Sequence, residues 1–91
     1  MNNKVLVSIE VPEIGNSYDL FLPINEQIWK ITKLVSKVIS DMVGADLSTK
    51  DTYIFINKDN GSIYSNNNII AETDIRNGTE LILIKVNVNQ Q

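Results

Sequence analysis

Eleven carboxylates are the groups in this chain most suited to acid–base work, because its 91 residues include no histidine and no cysteine. Without them there is no imidazole base poised near neutral pH, no thiolate nucleophile and no customary zinc ligand. The acids lie scattered singly, and none is paired in a pattern recognisable from general acid–base or glycosidic chemistry. Catalysis is not expected. Asn57-x-Asp59-x-Gly61 echoes a calcium loop, yet the first ligand is not Asp and the glycine is misplaced. Asn60-Gly61-Ser62 and Asn77-Gly78-Thr79 match glycosylation acceptors, but with no secretory signal they read as turns. No glycine-rich phosphate loop is present. These residues imply no cofactor and no metal, so function is expected to reside in a surface.

The surface has to be built by a helix and a sheet. Residues 25–42, NEQIWKITKLVSKVISDM, form the longest periodic stretch. Ile28, Ile31, Val35, Val38, Ile39 and Met42 recur at spacings of three and four, which puts them on one helical face, with Ile24 and Leu34 at its margins. Asn25 is the expected N-cap after Pro23, and Gly44 the expected C-terminal stop. An amphipathic helix of this kind needs a sheet to lie on.

The strands follow from a period of two. Residues 4–11 set Val5, Val7, Ile9 and Val11 on one face, with Leu6, Ser8 and Glu10 on the other. A turn at 12–16 leads to SYDLFLP, with Tyr18, Leu20 and Leu22 inward and Asp19 and Phe21 outward, a hairpin. After the helix comes a polar loop at 45–51, then a third strand, TYIFIN, over 52–57. Lys58-Asp59-Asn60-Gly61 turns into a short strand at most, residues 62–64. A compact segment over 69–76 ends in the Asn77-Gly78 turn, and 80–88 forms the last, most apolar strand. The order is ββαββ, an α+β pattern with one helix packed on one sheet face. The expected spatial order is 2-1-5-3, a mixed sheet with the first and last strands central and parallel. That is the β-grasp, ubiquitin-like architecture.

Composition agrees with one globular domain over 1–91, with its core in 4–86 and a frayed tail over 87–91. Apolar residues are 43% and charged ones 21%. A net charge of −3 gives no electrostatic case for nucleic acid. No apolar run approaches the length of a membrane span, so membrane insertion is not expected. The N-terminus has no apolar signal core, and a cytoplasmic location is the default.

The C-terminal third, residues 69–84, looks like the ubiquitin-like signature: an apolar residue, a short turn, a core Ile, a Gly turn and a strand with alternate core leucines. More narrowly, the chain resembles the YukD family, small ubiquitin-like proteins linked to type VII secretion in Gram-positive bacteria. The similar pieces are Ser17-Tyr18-Asp19-Leu20, the helix after Pro23, Ile56-Asn57-Lys58-Asp59, and Ile75-Arg76-Asn77-Gly78-Thr79-Glu80-Leu81. They keep the family order over residues 4–84. Conjugated modifiers and sulfur carriers end in Gly-Gly, whereas no glycine follows Gly78 here. The YukD family also lacks that tail, so the resemblance implies a non-conjugated interaction module. The implied partners are proteins, components of a secretion system, with a homodimer as a further expectation. The alternative is a stand-alone β-grasp regulatory or carrier-type domain unrelated to secretion.

Two surfaces are candidates for partner binding. If Tyr53, Phe55, Leu81 and Leu83 face the helix, then Ile54, Ile56, Ile82 and Ile84 face outward, joined by Leu6 and Phe21. Outward positions of a wet sheet face are usually polar, and six apolar side chains there make a patch of roughly a few hundred Å². Ile54, Ile82 and Ile84 resemble the face by which ubiquitin meets its receptors. Against this, β-branched residues also suit exposed strands for their own sake. The second surface is the solvent side of the helix, where Trp29, Lys33, Ser36, Lys37 and Ser40 fall together. There Trp29 with Lys33 and Lys37 either anchors a partner, or Trp29 packs on the loop at 44–51 and the lysines solvate the helix.

Overall fold

The computed structural model describes residues 3–44, 47 and 52–86. The expected tail over 87–91, the last two residues of the expected final strand and most of the loop at 45–51 lie outside the described residues. Four strands form one sheet: β1 (Lys4–Val11), β2 (Asn16–Pro23), β3 (Thr52–Asn57) and β4 (Glu80–Val86), in the order β2-β1-β4-β3. β1 and β2 make an antiparallel hairpin, β3 and β4 a second antiparallel pair, and β1 runs parallel to β4 at the centre. This is the expected β-grasp. The strand anticipated at 62–64 reduces to a single bridge between Ile56 and Ile63, so the last strand is the fourth rather than the fifth.

The inward faces of the strands are the expected ones. Val7, Ile9, Val11, Leu22, Tyr53, Phe55, Leu81 and Leu83 are buried, with Val5, Tyr18 and Leu20 packed against them. The α-helix α1 (Ile28–Val43) covers that face. Sixteen residues at about 1.5 Å each give it a length of roughly 24 Å.

Two features of α1 depart from the sequence expectation. Its N-cap is Gln27, not Asn25, and no side chain caps it. Gln27 is held extended by an antiparallel bridge to Ile69, and Ala71 N donates to Ile24 O at 2.9 Å. The first helical N–H groups are satisfied instead by a neighbouring loop: Ile28 N donates to Asn68 O and Trp29 N to Asn66 O. The buried face is also rotated. Ile28, Ile31, Thr32, Val35, Ser36 and Ile39 are buried, whereas Val38 and Met42 are exposed, and so is Leu34 at the margin. Thr32 and Ser36 reach the core side because their hydroxyls donate back to the carbonyls of Trp29 and Thr32 (3.1 and 2.7 Å), so neither hydroxyl is left unmet. Gly44 ends the helix in the left-handed region (φ 69°), and its N–H donates to Ser40 O. Leu47, within the stretch expected to be polar, is buried and donates its N–H to Ser40 Oγ.

Candidate protein-docking face

The outer face of the sheet follows from strand register. Ile82 lies opposite Ile56, and Ile84 opposite Ile54, on β4 and β3. The bridge from Ile56 to Ile63 carries the row one step beyond the sheet edge, since directly opposed residues of an antiparallel pair share a face. Ile54, Ile56, Ile82 and Ile84 are half-buried, while Ile63 is 65% exposed. Ile63 was not anticipated as a surface residue of interest; its segment is too short to show a period. Its pairing to Ile56 was the only signal, and that is tertiary.

At the end of the sheet, between the turn after β1 and β4, lies a cleft of about 370 Å³ lined by Pro12, Glu13, Leu83, Ile84 and Lys85. Its charges are on the helix side of the sheet, since Lys85 lies opposite Tyr53: Lys85 Nζ is 3.7 Å from Glu13 Oε2, and Tyr53 Oη donates to Glu13 Oε1 at 3.1 Å.

Leu6 and Phe21 do not join the isoleucines. They face one another across β1 and β2, but Ser8–Asp19 is the next pair along, and Ser8 in turn neighbours Glu80. Lys58 completes this polar band, with its Nζ 3.1 Å from Glu10 and 3.9 Å from Glu80. The hydrogen bond and charge of Glu10 raise the Lys58 pKa above its ordinary value. The six-residue patch expected from the sequence is therefore two patches, an isoleucine face on β3 and β4 and an aromatic–aliphatic pair at the β2 edge.

On the helix, Trp29 is partly exposed in the first turn, and Lys33 and Lys37 are exposed. The cation over the Trp29 ring is Lys30, at 5.5 Å from its centroid, rather than Lys33. Trp29 Nε1 donates to Gln27 Oε1 at 2.9 Å. Trp29 thus sits by the loop at 65–68, at the opposite end of α1 from residue 44. Lys37 pairs with Asp41 one turn on. Ser36, placed with these residues by the sequence reading, is buried. Among the described residues no helix is long and apolar enough to cross a membrane.

Solved structures of known proteins share this arrangement. The chain is similar to a component of the MycP5-free ESX-5 inner membrane complex, State II, with a TM-score of 0.80 and 16% identity over 99% of this chain. It spans 23% of the length of that component. It is similar to the EccD5 ubiquitin-like domain from Mycobacterium xenopi, with a TM-score of 0.70 and 17% identity, covering 97% of this chain and 100% of that one. The N-terminal ubiquitin-like domain of the 4931431F19Rik protein matches with a TM-score of 0.70 and 16% identity, covering 100% of this chain and 83% of that one. At such identities the likeness establishes the ubiquitin-like fold. No family model and no curated protein matches the sequence.

Proposed function

We propose that this chain is a ubiquitin-like protein-interaction module that docks non-covalently through the isoleucine face of β3 and β4. The observation that carries the reading is the cluster of Ile54, Ile56, Ile63, Ile82 and Ile84 on the sheet face away from the helix. A wet sheet face is normally polar at those positions. An apolar centre bordered by Lys58, Glu10 and Glu80 has the anatomy of a protein interface. Docking would cover the isoleucines while the charged border stays wet. The alternative surface, Trp29 with Lys33 and Lys37, is the less favoured, because Gln27, Lys30 and Asp41 already engage Trp29 and Lys37.

The biological setting we propose is that of a YukD-like protein: a cytoplasmic accessory or regulatory component of a type VII secretion system in a Gram-positive bacterium. Its support is the order of motifs over residues 4–84, together with the fold likeness to the ESX-5 component and to EccD5. The test is a pull-down from native cytoplasm and membrane fractions with the intact chain and with Ile54→Glu and Ile84→Glu, each checked by circular dichroism. Secretion components held by the parent and lost by both folded variants are expected. Folded variants that keep every partner would remove the surface assignment. Partners that include no secretion component would remove the setting.

A further inference from the structure

The open edge of β2 lies away from the isoleucine face, and what it implies does not depend on that face. Among the described residues β2 pairs with β1 alone. Just beyond the strand, Ile24 N donates to Asn3 O at 2.9 Å, which fixes the phase of the ladder. Antiparallel pairs alternate between bonded and non-bonded, so the even-numbered residues of β2 direct their backbone groups to β1. Ser17, Asp19, Phe21 and Pro23 direct theirs outward. Pro23 has no N–H to leave unmet there, so the edge offers the N–H groups of Ser17, Asp19 and Phe21 and the carbonyls of all four.

Beside this edge a groove of about 130 Å³ runs between β2 and α1, lined by Leu20, Phe21, Leu34 and Val38 among others. At Pro23 and Leu34 it continues into a hollow of about 170 Å³ next to Glu26 and Lys30. Phe21 is 66% exposed and Leu34 54%. Lys30 is paired with Glu26 and Lys37 with Asp41 along this flank of the helix.

We propose that this edge receives a second copy of the chain, the two β2 strands pairing antiparallel about a two-fold axis at Leu20. The argument is self-complementarity. With the axis at Leu20, Asp19 lies opposite Phe21 of the other copy, and Ser17 opposite its Pro23. Every outward N–H of both copies then meets a carbonyl, and the position with no donor falls at the end of the ladder, where the carbonyl left over, that of Ser17, is open to water. An axis at Asp19 would set two carboxylates face to face. An axis at Phe21 would leave the Ser17 N–H beyond the reach of a strand partner. On the inner side the Leu20 axis brings Leu20 to its own mate and Tyr18 to Leu22 of the other copy. Leu34 and Val38 from both helices close over them. The contact is isologous and closed, so it ends at a dimer.

The absence of cysteine makes the test direct. Leu20→Cys puts a single thiol at the axis, in a non-hydrogen-bonded pair whose Cβ atoms lie about 4.5–5.5 Å apart, close to disulfide reach. Mild oxidation of the full chain should convert most of it to a covalent dimer, while Ile63→Cys, on the other surface, should remain monomeric under the same treatment. In the chain without cysteine, Leu34→Glu should shift sedimentation from dimer to monomer with its circular dichroism unchanged, and this variant decides the matter if Leu20→Cys does not fold. A parent chain that sediments as a monomer at its highest soluble concentration would overturn the proposal. So would a dimer that survives Leu34→Glu and crosslinks through Ile63→Cys.

Discussion

Tyr64 is the residue that holds the most exposed isoleucine in place. Its hydroxyl donates to Asp74 Oδ1 at 2.6 Å and accepts from Asn57 Nδ2 at 3.1 Å. The Asn57 Oδ1 in turn accepts the N–H groups of Asp59 and Asn60. One network therefore ties the turn after β3 to the segment before β4 and sets Ile63 beside Ile56. The Tyr64 hydrogen bond lowers the Asp74 pKa below its ordinary 3.8, and burial, reinforced by Asp74, raises that of Tyr64. A lowered carboxylate stabilises the fold above its unfolded value and loses that contribution as pH falls through the folded one. Tyr64→Phe should cost about 1–3 kcal/mol near neutrality, because a buried amide loses its acceptor. It should also lose less stability than the parent on acidification below about pH 4. Urea midpoints for the two proteins at both pH values check this; parallel acid losses would show that Asp74 is not coupled to Tyr64.

At the scale of the element, α1 decides which apolar residues belong to the core. Val35→Ala should destabilise by about 1–3 kcal/mol, Val38→Ala by less than about 1, and Lys37→Ala by less than about 0.5. Equal denaturation midpoints for the two valine variants would place the buried face where apolarity alone puts it. The strands were legible in the sequence because each of β1, β3 and β4 turns one face to a helix, and a period of two then sorts Val7 from Leu6 and Phe55 from Ile54. The phase of the helix was not. Thr32 and Ser36 conceal their hydroxyls within the helical turn, while Leu34 and Val38 are apolar because they border the groove against β2. The start of the helix was illegible for a similar reason: the carbonyls that cap it belong to Asn66 and Asn68, some forty residues away. The split of the outer patch was hidden too, since only the parallel register of β1 with β4 brings Ser8 and Glu80 between Leu6 and Ile82.

For the molecule as a whole, the sheet separates two jobs. Its inner face, with Phe55, Leu81 and Leu83 almost wholly buried, supplies the stability, and the proposed function assigns recognition to its outer face. Leu83→Asp should unfold the chain, because a charge enters the core, whereas Ile84→Glu on the neighbouring position should leave the thermal transition within a few degrees of the parent. Thermal melts of the pair check the division; two equal losses would deny it. The central claim, that the isoleucine face is where a partner docks, is tested most directly by amide hydrogen exchange of the intact chain, free and in the complex recovered by pull-down. Protection gained on binding should centre on residues 52–57, 61–64 and 80–86, with little change in α1. Protection gained instead along residues 29–37, with β3 and β4 exchanging as in the free chain, would contradict it.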